Sequence, residues 1–283
     1  PSFTNQATLS YRGNVTISNI VTGELVAVLS ATKTALSERY GADDILTYVI
    51  SIVNSGPAPY TGLTMTDDLG AYTYGTGTLT PLTYVDGSLR YFVNGVLQAT
   101  PTPTADAPLT VPGIAVPAGG NALMIYETRV NSFAQLDTES TVTNTATLSG
   151  AGLTTPVQAA STVNARAAAY LTIGKAVSPA TVAENGTLTY TFTIQNYGNT
   201  AAAETDNVTV SDTFSPILKA ISVTYNGVAW TEGTQYTYNT ATGAFATTAG
   251  QITVPAASLT RDAATGAVVV TPGISTLTVT GTV

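Results

Sequence analysis

The sequence predicts an all-β protein made of two copies of one antiparallel β-sandwich domain. Apolar and polar residues alternate with period two in many segments, as in LTYVISI at 46–52 and LTYTFTI at 188–194, and this alternation is typical of half-buried strands. Asn94-Gly95 and Asn226-Gly227 fall between such segments, and these pairs tolerate the positive φ of tight hairpin turns. No helical periodicity is sustained, and 283 residues suffice for two domains.

An internal repeat indicates that the two domains are related. LSATKTALSERYGADDILTYVISIVNSG at 29–56 matches LTIGKAVSPATVAENGTLTYTFTIQNYG at 171–198. The same interval separates Lys33 from Lys175 and Asn54 from Asn196. Self-similarity at one spacing is the sequence signature of repeated structural units.

The repeat also predicts a displaced strand. The first copy closes with TVTNTATLSG at 141–150, whereas the second copy has no equivalent strand after 280–283 and SFTNQATLSY at 2–11 matches the absent strand instead. We call residues 2–10 the donor strand, because a sandwich without its last strand leaves unpaired backbone groups that some strand must fill. The expected organisation is 1–10 donor strand, 11–24 linker, 25–150 first β-sandwich, 151–165 linker and 166–283 second β-sandwich lacking its final strand.

The composition excludes most enzymatic and nucleic-acid functions. Only 9% of residues are charged, the net charge is -8, and cysteine and histidine are absent. A chain without a basic surface does not neutralise a phosphate backbone, so nucleic acid is not expected as a partner. Thiolate chemistry and the usual zinc and haem ligands are also missing, so we expect no enzyme, no cofactor and no metal. No apolar run is long enough for a membrane span, and if the protein is exported we expect this sequence to be the mature form.

Side chains point alternately to the two faces of a strand, and this strand parity places one lysine, one aspartate and one asparagine inside each domain. Lys33 shares a face with Leu29, and Asp67 lies between Met65 and Leu69. The equivalent residues are Lys175 and Asp212 in the second copy, and the asparagines are Asn144 in the last strand of the first copy and Asn5 in the donor strand. The inward face of the donor strand is therefore Phe3, Asn5, Ala7 and Leu9. Unpaired burial of such polar groups is costly, so we expect them to meet.

These patterns resemble a repeat family of bacterial surface proteins called domain of unknown function eleven. The resemblance rests on a strand with Lys, then a glycine followed by Y-x-x-x-x-x-N-x-G, then an Asp two residues after an apolar residue, and a final N-x-A-x-x strand, and it covers nearly the whole chain. The family implies immunoglobulin-like sandwiches in an extracellular, secreted or bacterial cell-surface protein. It implies no defined activity.

Two interpretations of the inward polar residues stay open at this stage. One is an isopeptide bond similar to that of Gram-positive pilins, formed by Lys33, Asp67 and Asn144 within domain one and by Lys175, Asp212 and Asn5 across a joint between copies. The other is a buried ion pair beside a hydrogen-bonded asparagine.

The leading functional hypothesis is a structural subunit of an extracellular bacterial filament. The donor strand of one copy would enter the incomplete second domain of a neighbour, which gives a pilus-like head-to-tail homopolymer by donor-strand complementation. Insertion within the same chain stays open. The alternative function is a monomeric cell-surface adhesin or stalk module that binds a glycan or protein through its loops.

Overall fold

The computed structural model describes residues 2–283, which begin with a hairpin. Its strands are β1 (Ser2–Asn5), β2 (Thr8–Tyr11), β3 (Asn14–Ile17) and β4 (Val21–Glu24). β1 pairs with β4 and β2 pairs with β3, both antiparallel. Residues 2–24 are therefore one long antiparallel hairpin, which we call the N-terminal hairpin. The segment 11–24, expected to be a linker, contains its two return strands.

Domain one contains fourteen strands between residues 29 and 165. They are β5 (Leu29–Ala35), β6 (Arg39–Tyr40), β7 (Ile45–Asn54), β8 (Tyr60–Asp67), β9 (Tyr72–Tyr74), β10 (Gly77–Leu79), β11 (Leu82–Tyr84), β12 (Arg90–Val93), β13 (Val96–Leu97), β14 (Ala105–Asp106), β15 (Leu109–Val116), β16 (Asn121–Val130), β17 (Thr141–Ser149) and β18 (Val157–Ala165). One sheet has the order β13-β12-β16-β7-β5, with β11 also paired to β16, and the other has the order β14-β15-β8-β17-β18-β6. β18 pairs with β17 along eight positions, so most of the segment 151–165, expected to be a linker, is a strand of this domain.

Domain two contains ten strands between residues 171 and 282. They are β19 (Leu171–Ser178), β20 (Thr187–Asn196), β21 (Ser211–Thr213), β22 (Lys219–Tyr225), β23 (Val228–Trp230), β24 (Tyr236–Asn239), β25 (Ala244–Thr247), β26 (Ser258–Arg261), β27 (Val268–Thr271) and β28 (Gly273–Thr282), with one 3-10 turn at Glu204–Asp206. The larger sheet has the order β19-β20-β28-β22-β23 and the smaller one has the order β21-β25-β24. The prediction of an all-β fold with two tandem antiparallel sandwiches is confirmed, and the one parallel pair in the described sheets joins β18 to β6.

Each domain packs its own core from inward residues of alternating parity. In β7 the inward residues Tyr48, Ile50 and Ile52 are fully buried, and domain two uses Phe192 and Ile194 of β20 in the same way. Because opposite side chains alternate across a strand, the polar residues between them face solvent or the neighbouring strand. The alternation in the sequence therefore predicted the faces of these central strands correctly.

The two domains meet end to end, and each contributes a hairpin that the other domain lacks. Arg261 of β26 lies over the rings of Tyr72 and Tyr74 in domain one, 5.3 and 5.0 Å from their centroids. Its guanidinium donates to the Tyr72 hydroxyl at 2.9 Å, and the amide of Val268 donates to the carbonyl of Ser132 at 2.7 Å. Stacking and hydrogen bonding of Arg261 contribute to the contact between the domains.

Candidate functional site

A buried lysine–aspartate pair joins the two sheets of domain one. Lys33 comes from β5 and Asp67 from the end of β8, and Nζ of Lys33 donates to Oδ2 of Asp67 at 2.5 Å. Both side chains are completely shielded from solvent. The parity argument predicted this meeting correctly, because each residue alternates with apolar neighbours that point into the same core.

Two tyrosines surround this pair. Nζ of Lys33 lies 4.8 Å from the ring centroid of Tyr48 and 5.9 Å from that of Tyr126, and the Tyr126 hydroxyl donates to Oδ2 of Asp67. Burial lowers the pKa of Lys33, and the charge of Asp67 offsets only part of that effect. Burial also raises the pKa of Tyr126 well above its usual value. Burial therefore makes the charged ammonium of Lys33 and the ionised phenol of Tyr126 less favourable than they are in water.

Asn144 is fully buried in β17 without a hydrogen-bond partner. Within the described residues, neither its amide nitrogen nor its amide oxygen is bonded, and the Tyr48 hydroxyl is also unpaired. The amide faces the hydroxyls of the two tyrosines that lie under Lys33. Each buried unpaired polar group costs about 1–3 kcal/mol, so Asn144 in this form destabilises the domain.

Domain two repeats the pair in a more open setting. Lys175 of β19 forms an ion pair with Asp212 of β21, but their side chains are 41% and 19% exposed. Nζ of Lys175 lies 4.4 Å from the Tyr190 ring centroid. Asn5, the third residue predicted for this site, lies instead in the N-terminal hairpin opposite Val21 and is exposed.

Tyr126 is a site residue that the repeat comparison did not single out. It pairs with Tyr48 across the ladder, and the equivalent ladder position opposite Tyr190 is Val279. Domain two thus has no tyrosine at this position to hydrogen-bond its aspartate. The parity of β16, where Ala122, Met124 and Tyr126 are buried in turn, was the sequence signal that places Tyr126 inward.

The smaller sheet of domain two ends at β21, whereas the equivalent sheet of domain one has further strands beyond β8. In domain one β8 pairs with both β15 and β17, and β17 pairs with β18. In domain two β21 pairs with β25, and residues 2–283 place no strand on its other side. β19 is exposed along its whole length, whereas its counterpart β5 buries Leu29 and Lys33. We call this region, bounded by the free edge of β21 and the inner face of β19, the open slot.

The N-terminal hairpin does not fill that slot. Phe3 and Leu9, the large inward residues of the predicted donor strand, are 57% and 64% exposed, and Asn5 and Ala7 are exposed as well. The hairpin therefore presents unburied apolar side chains, while the slot in domain two stays unfilled within residues 2–283.

The described residues contain neither a metal cluster nor a membrane-spanning helix. No group of three or more potential metal-binding side chains occurs in residues 2–283. Over the same range no helix is long and apolar enough to cross a membrane.

Comparisons with known proteins give structural likenesses at low identity. No protein-family model and no curated protein matches the chain. The pilus backbone protein RrgB of Streptococcus pneumoniae is 11% identical over 87% of this chain and 55% of its own, with a TM-score of 0.35. The full-length major pilin SpaD of Corynebacterium diphtheriae is 14% identical over 58% of this chain and 41% of its own, with a TM-score of 0.35. The collagen-binding domain of a Staphylococcus aureus adhesin is 11% identical over 49% of this chain and 99% of its own, with a TM-score of 0.31.

This chain thus spans about half of the RrgB chain and less of SpaD. At such low scores the likenesses carry no conclusion about function. Membership of the surface-repeat family stays a prediction.

Proposed function

We propose that the chain is the structural subunit of an extracellular bacterial filament. It polymerises head to tail when the N-terminal strand of one copy enters the open slot of the next copy's domain two. The observation that carries this proposal is the pairing of an unfilled slot with an exposed strand whose sequence repeats β17, the strand that fills the same place in domain one.

The strand fits the slot in sequence and in side-chain direction. Leu9 and Asn5 occupy the positions of Leu148 and Asn144 in the repeat, and Leu148 and Asn144 are buried in domain one. Burying a large apolar side chain stabilises by about 1.5–3 kcal/mol. Each ladder hydrogen bond adds a net ~0.5–1.5 kcal/mol. Slow dissociation of the inserted strand follows from this sum.

The position of the N-terminal hairpin favours insertion into another copy. Leu29 begins domain one beside Asn54, at the end of β7. The chain leaves domain one at Arg166, which bonds Asp44 just before β7 begins. Entry and exit therefore lie at opposite ends of this 10-residue strand, about 33 Å apart. The hairpin is attached at the entry, and domain two follows the exit.

Insertion within one chain would require a much longer tether. By analogy with β18, which ends at the exit of domain one, Glu24 of an inserted hairpin would lie at the far end of domain two. Two domains laid end to end put that point about 66 Å from Leu29. Residues 25–28 span at most ~14 Å. A neighbouring copy meets the requirement without rearranging the contacts between domains.

We propose that an isopeptide bond then locks each domain. Transfer of a proton from Nζ of Lys33 to Asp67 leaves an uncharged amine, which burial favours. The amine attacks Cγ of Asn144, so that the new C–N bond forms and the bond from Cγ to Nδ2 breaks. Asp67 passes its proton to Nδ2, which departs as ammonia, and accepts the second proton that Nζ loses as the amide forms, so that the carboxyl ends protonated. The product removes the buried lysine charge and the unpaired Asn144 amide nitrogen together, which supports the proposal.

At the joint the same chemistry would link Lys175 of one copy to Asn5 of the neighbour, with Asp212 as the carboxyl. The Lys175–Asp212 pair of a single copy is partly exposed, because the strand that carries Asn5 comes from another copy. The alternative to both bonds is a stable buried ion pair.

Two point variants of the full chain test the assembly. Leu9→Asp places a charge on the inward face of the strand, whereas Ser10→Asp places the same charge on its outward face. Sedimentation velocity is expected to give large species for the natural chain and for Ser10→Asp, and monomers for Leu9→Asp. A natural chain that stays monomeric at high concentration would favour the monomeric adhesin. Equal assembly of Leu9→Asp would overturn strand insertion.

A further inference from the structure

The open slot of domain two is two strands wide. The sheet of domain one that contains β8 continues past it through β17, β18 and the short β6, whereas the smaller sheet of domain two stops at β21. In domain one β18 closes the side of the sandwich over β5, where the amide of Ala35 donates to Oγ of Ser161 at 3.0 Å. Ala159 and Val163 of β18 are buried there. A single inserted strand would replace β17 and leave the place of β18 empty.

The exposure of β19 shows that the place equivalent to β18 is empty in the described part of domain two. All eight of its residues are exposed, including Ile173 at 56%. The equivalent strand β5 alternates between buried and exposed positions. β5 and β19 have equivalent ladder partners on one side, because β5 pairs with β7 and β19 pairs with β20. The difference therefore lies in the cover that β18 provides for β5 and that nothing in residues 2–283 provides for β19.

The N-terminal hairpin has the same pairing as β17 and β18. Asn5 lies opposite Val21, as Asn144 lies opposite Ser161. Leu9 lies opposite Thr16, as Leu148 lies opposite Val157. One register shift separates the two halves of the hairpin, because Thr8 pairs with Ile17 while Asn5 pairs with Val21. The inward residues of the first strand thus face the same side as Thr16, Val21 and Gly23.

Gly23 leaves room for the aromatic ring of Phe3 within the hairpin. A Cβ at this position would lie 2.4 Å from the ring of Phe3, so the ring occupies the space that any other residue would need. Phe3 is 57% exposed, but its ring lies against the return strand on the inward face. Because β1 pairs with β4 and β2 pairs with β3, the hairpin is a preformed unit and not a strand with a trailing linker.

We infer that the element exchanged between copies is the whole hairpin 2–24, and that its return strand covers β19 of the neighbour. This inference rests on the proposed filament assembly and specifies its interface. In the assembled state β4 lies over β19 as β18 lies over β5, and Val21 takes the place of Ser161 above Val177. The cover shields Lys175, which brings its environment close to that of the fully buried Lys33.

Engineered cysteine pairs test the inference in the full chain, which has no cysteine of its own. All of these chains also carry Lys175→Met, so that the proposed isopeptide bond cannot link copies on the gel. The pair Thr8→Cys and Ser211→Cys reports the first strand, because the equivalent residues Thr147 and Thr66 are ladder partners in domain one. The pair Val21→Cys and Val177→Cys reports the return strand. The matched control is Ile17→Cys with Val177→Cys, since Ile17 points outward.

Oxidation followed by a non-reducing gel gives three distinct results. Disulfide-linked ladders from both test pairs, with none from the control, are expected. A ladder from the Thr8 pair alone means that a single strand inserts, which overturns the hairpin inference and leaves the proposed function standing. Ladders from neither pair overturn the proposed function itself.

Hydrogen exchange supplies a second readout that does not depend on cysteine geometry. Amides of 14–24 and 171–178 are expected to exchange more slowly in the assembled natural chain than in the Leu9→Asp chain. Protection confined to the first strand would overturn the inference.

Discussion

Replacement of Asn144 by leucine separates a crosslinked domain one from an ion-paired one by the sign of the stability change. Leucine keeps the γ-branched shape of asparagine but offers no atom for bond formation. The substitution is made in the Leu9→Asp chain, so that assembly does not contribute to the measured unfolding.

With an isopeptide bond the natural residue is strongly stabilising. A bond from Lys33 to Asn144 closes a loop of about 110 residues, and a crosslink of that span stabilises by roughly 4–5 kcal/mol through the entropy of the unfolded chain. Asn144→Leu is therefore expected to lower the unfolding free energy of domain one by about this amount.

Without the bond the expected change has the opposite sign. Asn144 then carries a buried amide whose nitrogen and oxygen both lack partners, at a cost of about 1–3 kcal/mol for each group. Removing them makes leucine neutral or stabilising. The variant Lys33→Met would not distinguish the crosslink from the ion pair, because it leaves Asp67 buried without its charge partner, which by itself costs roughly 3–5 kcal/mol.

The assay combines intact mass with urea unfolding. We expect the Leu9→Asp chain, in which no joint forms, to be lighter than its sequence by one ammonia. Adding Asn144→Leu or Asp67→Asn should restore the full mass. Lys219→Met changes the third, exposed lysine and should keep the deficit. A Leu9→Asp chain of full mass, together with an Asn144→Leu domain that is as stable or more stable, would refute the crosslink.

Three further substitutions test the fold around the site. Burial raises the pKa of Tyr40 to about 12, above the value of ~10 in the unfolded chain. The contribution of Tyr40 to the unfolding free energy is therefore intact below pH ~10 and is lost as pH rises to ~12. Tyr40→Phe should reduce this loss of stability by roughly 2 kcal/mol, measured by urea titrations across that pH range. Arg261→Met removes the contacts with Tyr72 and should loosen the interdomain angle, detected as a broader distance distribution between spin labels, whereas unchanged widths would contradict the role given to the hairpins. Gly198→Ala places a Cβ 2.1 Å from a backbone carbonyl oxygen and should lower the melting temperature of domain two, while Gly174→Ala, with open space around it, should not; equal effects would contradict the packing.

Strand parity was sufficient to find the lysine–aspartate pairs. Lys33 and Asp67 alternate with apolar residues, so two short patterns placed both in one core before their sheets were known. Parity also placed Asn144 inward. It did not predict that the asparagine would lack hydrogen bonds, because that depends on the tyrosines contributed by β7 and β16.

The N-terminal hairpin was missed because of its turn. Asn94-Gly95 and Asn226-Gly227 have positive φ at both residues and were recognised as hairpin turns from their composition. The turn at Arg12-Gly13 has the same positive φ values, 49° and 82°, but arginine carries no such signal. The return strands were consequently predicted to be a linker.

The interdomain contacts could not be predicted from the repeat. β26 and β27 lie in a segment for which domain one has a short turn after Pro117, so alignment of the copies gave them no counterpart. Asn5 was predicted beside Lys175, and one chain cannot test that placement when the tether holds the hairpin at the opposite end of domain one.

Mixing two single-cysteine chains tests insertion between copies most directly. One full-length chain carries Thr8→Cys and the other carries Ser211→Cys, and both carry Lys175→Met so that no isopeptide bond forms at the joint. They are combined in equal amounts, unfolded together, refolded and oxidised. Insertion in trans predicts a disulfide-linked dimer that contains one chain of each kind, with little of either homodimer. Chains that remain monomeric on a non-reducing gel, although the chain carrying both cysteines forms the bond internally, would contradict the head-to-tail filament.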